Sequence, residues 1–265
     1  LLPVISPDGK TLYFSRDNTI GEIEQMETDI WYSRRADDGT WSKAIRLGSP
    51  LNNTTSNAVV SVSADNNKLV LMNQYDSHGN TKGMGYSISR RRSGGWNTPE
   101  DMYIPGFHNN GKYTSACLSA SEKIFIVSIV GNETFGEEDL YISKLQENGT
   151  WSPLRNLGAF INTPGSEITP FLASDDATLY YSTSGKAGYG SSDIFVTKRL
   201  DDTWENWSEP LNLGPAINTP EWDAYFVISS SDNYVYMISE ENTNGFSDIF
   251  RITLPEAAQP DPVVL

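Results

Sequence analysis

A tryptophan followed by a small polar residue recurs at Trp41-Ser42, Trp96-Asn97, Trp151-Ser152 and Trp207-Ser208, spaced by 55, 55 and 56 residues. A period of this length constrains the fold more than any local propensity, because a short supersecondary unit cannot bury its apolar face without neighbours of its own kind. Three of the copies continue into a Leu-Gly pair (Leu47-Gly48, Leu157-Gly158, Leu213-Gly214) and then an apolar residue plus Asn (Leu51-Asn52, Ile161-Asn162, Ile217-Asn218). The second copy is degenerate, with Ile104 and Phe107-His108 at these places.

Two further landmarks share the period. An Asp-apolar-aromatic triplet stands at Asp29-Ile30-Trp31, Asp139-Leu140-Tyr141, Asp193-Ile194-Phe195 and Asp248-Ile249-Phe250. A polar turn leads into a β-rich run at Ser6-Pro7-Asp8-Gly9, Ser63-Ala64-Asp65-Asn66, Ser119-Ala120-Ser121-Glu122, Ser174-Asp175-Asp176 and Ser230-Ser231-Asp232-Asn233. Pro, Asp, Gly and Asn suit tight turns, and the Leu12-Tyr13-Phe14 or Leu179-Tyr180-Tyr181 run after them suits a strand. Each unit therefore decodes into four short strands: one before the turn, one after it, the Asp-apolar-aromatic strand, and a fourth starting at the Trp. No stretch keeps a helical period. The expectation is an all-β chain, a five-bladed β-propeller of four-stranded antiparallel blades over residues 1–254. The fifth blade has no following Trp segment and so lacks an obvious outer strand. Residues 255–265 read as a Pro-rich linker toward a further domain, or as a strand that closes that blade. The start Leu1-Leu2-Pro3, without Met, reads as part of a longer protein.

Composition removes several functions. Nineteen Lys and Arg against 34 Asp and Glu give a net charge of −15, which repels phosphate backbones and argues against a nucleic-acid partner. The longest apolar stretch, Ile124–Val130, is interrupted by Ser128 and far too short for a transmembrane segment. Two histidines (His78, His108) and one cysteine (Cys117) offer neither a His-rich metal site nor a disulfide framework. No cofactor, metal or catalytic motif emerges. Asp38-Gly39-Thr40-Trp41 and Asn148-Gly149-Thr150-Trp151 resemble the Asp-box of sialidases, but they lack a residue between Gly and Thr.

Trp41, Trp96, Trp151 and Trp207 are expected to wedge between neighbouring sheets. Asp29, Asp139, Asp193 and Asp248 are expected to accept backbone N–H bonds from the loop before them. Six residues after the apolar-Asn landmark the chain enters the innermost strand; that register holds Asn57, Tyr113, Glu167 and Asp223. Glu167 and Asp223 thus form a candidate carboxylate pair at one mouth of a central channel, the arrangement a glycosidase would need. The loops between second and third strands (19–28, 74–83, 132–138, 185–191 and 241–247) are candidate docking surfaces, with Phe135, Tyr189 and Phe246 as anchors.

These landmarks resemble the WD-like, TolB-type propeller repeat. The longer form, Trp151-Ser152-Pro153-Leu154-Arg155-Asn156-Leu157-Gly158 with Ile161-Asn162-Thr163, and its copy from Trp207 to Thr219, is similar to propellers of OmpA-family periplasmic proteins of Bacteroidota, including PorE-like components of the type IX secretion system. The resemblance implies a non-catalytic scaffold in the periplasm, associated with the outer membrane. It further implies protein partners in a secretion complex and a grip on peptidoglycan through a domain outside this chain. The alternative is a glycan-binding or glycoside-hydrolysing propeller using Glu167 and Asp223.

Overall fold

The computed structural model describes residues 2–17, 27–229, 234–240, 247–254 and 259–260. The fold is a five-bladed β-propeller of antiparallel sheets, with no helix among the described residues. Blade 1 comprises β1 (Val4–Ile5), β2 (Thr11–Asp17), β3 (Thr28–Arg34) and β4 (Ile45–Arg46). Blade 2 comprises β5 (Val59–Val62), β6 (Lys68–Tyr75), β7 (Thr81–Arg92), β8 (Gly95–Trp96) and β9 (Glu100–Asp101). Blade 3 comprises β10 (Ser115–Leu118), β11 (Ile124–Ile129), β12 (Asp139–Lys144) and β13 (Arg155–Asn156). Blade 4 comprises β14 (Glu167–Leu172), β15 (Thr178–Thr183), β16 (Asp193–Lys198) and β17 (Leu211–Asn212). Blade 5 comprises β18 (Asp223–Ile228), β19 (Tyr234–Ser239) and β20 (Asp248–Thr253). Blades 1 and 2 form one compact unit and blades 3 to 5 another. The proposed linker over 255–265 lies outside the described residues except for 259–260.

The fourth strand departs from expectation. It begins four residues after the Trp in blades 1, 3 and 4, and the Trp itself makes only an isolated bridge (Arg35–Trp41, Leu145–Trp151, Arg199–Trp207). The serine after the Trp explains the break. In blade 3, Ser152 donates its N–H to the Lys144 carbonyl (2.9 Å), and its Oγ accepts the Lys144 N–H (3.0 Å). Both backbone groups of Lys144 are thereby satisfied by one residue, and the ladder restarts only at β13. Ser42 and Ser208 do the same for Arg34 and Lys198.

The apolar-Asn landmark supplies the next rung. Asn162 accepts the Leu140 N–H through Oδ1 (2.9 Å) and donates Nδ2 to the Leu140 carbonyl (3.0 Å). Asn52 on Ile30 and Asn218 on Ile194 repeat both bonds within 0.1 Å. A side-chain amide offers both a donor group and an acceptor oxygen, as a backbone peptide does, so a buried Asn stands in for a strand residue at the sheet edge.

Blade 2 is the outlier on its own terms. The expected loop at 74–83 is a hairpin, because β6 and β7 run on to Tyr75 and Thr81 and turn over Asp76–Asn80. Where Met84-Gly85-Tyr86-Ser87 replaces the Asp landmark, Asp101 of β9 takes over: its Oδ1 accepts the Tyr75 N–H and the Ser87 hydroxyl, and Lys82 pairs with Oδ2.

Burial of apolar surface happens between blades. Tyr13, Ile30 and Leu51 of blade 1 pack with Val59, Leu69, Leu71, Tyr75 and Trp96 of blade 2. Ile126, Leu140 and Ile161 of blade 3 meet Tyr181, Phe195, Trp204 and Trp207 of blade 4. Between blades 4 and 5, Tyr180 stacks on Phe226 at 4.9 Å. Trp96 and Trp207 are thus buried wedges, whereas Trp41 and Trp151 are only partly covered. Polar latches accompany the wedges. Ser15, Ser128 and Ser182 donate their hydroxyls to the carbonyls of Asn57, Glu167 and Asp223 in the following blade. In return, the N–H groups of those three residues bond Thr28, Glu138 and Ser192 of the preceding blade.

Candidate functional site

The second-to-third-strand loops of blades 3 and 4 are each held by a buried carboxylate. In blade 3, Asp139 Oδ2 accepts the Phe135 N–H (3.0 Å) and the Asn156 amide (2.7 Å). In blade 4, Asp193 accepts the N–H groups of Tyr189 (2.6 Å) and Gly190 (3.0 Å) together with the Asn212 amide (2.8 Å). One carboxylate therefore ties the loop before the third strand to the fourth strand. Asp29 spends its Oδ2 on Arg46, which occupies the place of Asn156 and Asn212, and its loop lies outside the described residues. Asp248 is exposed.

Glycines press these loops against the connections beside them. A side chain at Gly136 would start 2.0 Å from the Pro164 carbonyl, and one at Gly190 would start 2.1 Å from the Glu221 carbonyl. Gly165 and Gly185 leave similarly little room for each other's neighbours. The Lys186 ammonium reaches the Phe160 carbonyl (3.5 Å). A continuous surface results, running from loop 131–138 through 158–166 to 184–191. On it Phe135, Phe160 and Tyr189 are about half exposed, at 51%, 47% and 52%. Backbone bonds hold Phe135 and Tyr189 there. Phe246, the third expected anchor, lies outside the described residues. Phe160 was not legible in advance, since the place between Leu-Gly and Ile-Asn varies among the repeats: Pro50, Phe160 and Ala216.

Glu167 and Asp223 are not presented to solvent. Both are completely buried, because the residue four places earlier folds over each. Glu167 accepts the Thr163 N–H (2.7 Å) on Oε2, and the hydroxyls of Thr163 (2.7 Å) and Thr183 (2.6 Å) on Oε1. Asp223 accepts the Thr219 N–H (2.6 Å) and hydroxyl (2.9 Å) on Oδ2. The Ile-Asn-Thr tripeptide after Leu-Gly thus ends in a threonine that locks the next blade's first carboxylate into a turn. Thr163 and Thr219 were the missing signal, and the i,i+4 spacing to Glu167 and Asp223 could have revealed them.

Burial pushes the Glu167 carboxyl above its ordinary value, and the nearby Asp139 carboxylate adds to this, against the lowering effect of the Thr183 and Thr163 bonds. Burial likewise raises Asp139, whose Oδ1 is buried without a hydrogen-bond partner, against the lowering bonds from Asn156 and Phe135. The folded chain therefore binds more protons than the unfolded chain just above the ordinary glutamate value of 4.5, and their contribution to stability declines as pH rises through that window. Glu167→Gln preserves the shape and should flatten part of this decline. Urea midpoints at pH values about 4.5 and neutral would then differ less in the variant than in the parent. Parallel curves for the two proteins would contradict the assignment.

Among the described residues no group of three or more His, Cys, Asp and Glu side chains is arranged to hold a metal ion. His108 pairs with the neighbouring Asn110 side chain (2.8 Å), and His78 lies beside Ser77. Cys117 is buried in β10, and burial pushes its thiol up to about 12, away from nucleophilic use.

No protein-family profile matches the chain, and no characterised sequence does. Solved structures do resemble it. TolB from Acinetobacter baumannii aligns over 94% of this chain and 51% of its own, at 14% identity and a TM-score of 0.51. The endo-arabinase from Bacteroides thetaiotaomicron aligns over 96% and 94%, at 13% identity and 0.57. An exo-β-1,3-galactanase from Phanerochaete chrysosporium aligns over 96% and 60%, at 14% identity and 0.55. This chain spans about half the length of TolB. At such identities the likeness concerns the propeller fold, which proteins of quite different names share.

Proposed function

We propose that this chain is a non-catalytic interaction module: the scaffold propeller of a periplasmic, outer-membrane-associated protein that belongs to a type IX secretion complex and reaches peptidoglycan through a domain outside these residues. The observation that carries the docking role is the pair of braced loops, in which Asp139 and Asp193 fix Phe135 and Tyr189 half exposed on a rigid frame. Anchors held in place before binding lose less conformational entropy on association, which favours a protein partner. The periplasmic and secretion context rests on the long Trp-to-Thr motif at 151–163 and 207–219.

The glycan reading needs two accessible carboxylates flanking a sugar. Glu167 and Asp223, each closed under its own threonine, disfavour it. The test is a cross-linked pull-down from cells carrying the intact parent protein. Outer-membrane secretion components should be recovered, and the double change Phe135→Ala with Tyr189→Ala should lower recovery about tenfold or more while the melting temperature stays within about 2 °C. Undiminished recovery would remove these loops from the interface. Hydrolysis of a glycan by the purified chain would overturn the non-catalytic reading.

A further inference from the structure

The junction of blades 1 and 2 carries two arginines at the places where the junction of blades 3 and 4 keeps its cations under a loop. Register fixes the equivalence. Thr11 pairs with Arg34 at one end of the β2–β3 ladder, as Ile124 pairs with Lys144 at the same end of β11–β12. Arg91 pairs with Trp96 in blade 2, as Arg199 pairs with Trp207 in blade 4. In blade 4 the hairpin closed by the Leu200 N–H and the Asn206 carbonyl covers these cations. Lys144 Nζ donates to the carbonyls of Asp202 (3.1 Å) and Thr203 (3.5 Å). Arg199 donates to the Asp201 carbonyl (2.9 Å) and to the Asp202 carboxylate (2.6 Å). Both cations lie against the Trp204 ring, 5.9 and 5.0 Å from its centre.

The corresponding turn of blade 2 is short, Ser93-Gly94 between the paired Arg92 and Gly95, and it carries no acid. Aromatic rings hold the two guanidiniums instead. Arg34 lies 5.5 Å from the centre of the Tyr32 ring, and Arg91 lies 5.5 Å from that of Trp96. Tyr32 tilts against Tyr13 at 6.3 Å, and Tyr13 shares the core between the two blades with Trp96. Among the described residues no carboxylate pairs with Arg34 or Arg91. Tyr13 is only 6% exposed, yet its hydroxyl has no hydrogen-bond partner among them either. Burial raises its phenol above the ordinary value, against the lowering pull of Arg91 and then Arg34, so both guanidiniums act on a hydroxyl that stays protonated at neutral pH. Asp8, the acid that reaches Tyr13, accepts the Ser6 hydroxyl and the Lys10 N–H. In blade 3 the place of Tyr13 belongs to Ile126, which has no hydroxyl. Residues 1–103 hold 11 of the 19 Lys and Arg against 12 of the 34 Asp and Glu, so the acidity that repels anions from the rest of the chain is nearly balanced here.

We propose that Arg34, Arg91 and the Tyr13 hydroxyl form a binding site for a phosphate dianion, either free phosphate or the phosphate of a monoester. Two guanidiniums without a counter-charge match two negative charges, which a phosphate dianion carries and a single carboxylate does not. Guanidinium forks also fit phosphate oxygens bidentately. Stacking on Tyr32 and Trp96 orients the forks before binding, so less ordering entropy is lost on association. The phenol adds a neutral donor for a further oxygen. At the junction of blades 3 and 4 the counter-charge is internal, from Asp202; at this one it comes from the ligand. The site uses none of the docking-loop residues and does not depend on the scaffold reading.

The experiment titrates inorganic phosphate into the full chain at low salt and pH about 8, above the second phosphate ionisation, and follows the arginine Nε–H resonances by NMR. Those of Arg34 and Arg91 should shift saturably, with a dissociation constant of about 1 mM. Arg34→Gln and Arg91→Gln should each weaken binding about tenfold, and Tyr13→Phe about threefold. Arg90→Gln is the matched control. It removes the same charge from the neighbouring residue, whose side chain points to the other face of the strand, and should change binding by about twofold or less. Acetate should bind at least about tenfold more weakly than phosphate. Absence of saturable shifts, equal weakening by Arg90→Gln, or acetate binding as tight as phosphate would each overturn the proposal. Phosphatidylcholine vesicles containing phosphatidic acid separate the sources. Retention of the parent but not of Arg34→Gln identifies a lipid phosphate, and phosphate binding without retention identifies a soluble one; the site stands in either case.

Discussion

Asn162→Ala is expected to destabilise the unit of blades 3 to 5 by about 1–3 kcal/mol, since it strands the buried N–H of Leu140 and leaves the Leu140 carbonyl with the Leu157 N–H alone. The side chain is 2% exposed and makes three bonds, the third from Nδ2 to Asn156 Oδ1 (2.8 Å). Water cannot reach Leu140, which is fully buried, to replace what is lost. The second consequence is local. Asn156 also accepts the Gly158 N–H (2.7 Å) and holds Asp139, so the loop bearing Phe135 should loosen with it. Urea unfolding reports the first effect, and exchange of the Leu140 and Phe135 amides reports the second. A loss below about 1 kcal/mol would mean that the amide is not a rung of the sheet.

Gly190→Ala is expected to cost about 3 kcal/mol, at the upper end for overpacking, because the obstacle is backbone rather than a movable side chain. The new methyl would start 2.1 Å from the Glu221 carbonyl and 2.5 Å from that of Thr219. Either loop 184–191 lifts, carrying Tyr189 away from Asp193, or the entry to blade 5 shifts. Gly48→Ala is the matched control: nothing lies within 4 Å of its added methyl, and no change beyond about 0.5 kcal/mol is expected. Thermal unfolding compares the two variants, and limited proteolysis at 184–191 shows whether the loop has lifted. Equal effects from both glycines would refute the close approach.

Much of the blade plan was legible because its signals are local and periodic. The turns at Ser6–Gly9 and Ser63–Asn66, the run Leu179-Tyr180-Tyr181 and the Asp-apolar-aromatic strands depend on residues within a few positions of one another. The short count of strands in blade 5 was likewise visible, as a missing Trp segment. The start of the fourth strand was misjudged because Trp and Ser are both acceptable in a strand. Ser152 breaks the ladder only by spending its N–H and Oγ on Lys144, eight residues away.

The site was less legible, since its parts come from different blades. Spacing alone brought Glu167 and Asp223 to equivalent registers and suggested a facing pair. The fold instead closed each under Thr163 or Thr219, a turn that the i,i+4 spacing permits but that only the packed structure shows to be formed. Composition and repeat period by themselves determined that this chain is all-β, acidic and built of blades, because those properties follow from hydrogen-bonding and hydrophobic patterns that recur every fifty-odd residues. Which aromatics stand exposed and which carboxylates are sealed were decided only by tertiary structure. Each depends on how folded segments pack against one another, and burial is a property of that packing rather than of the residue.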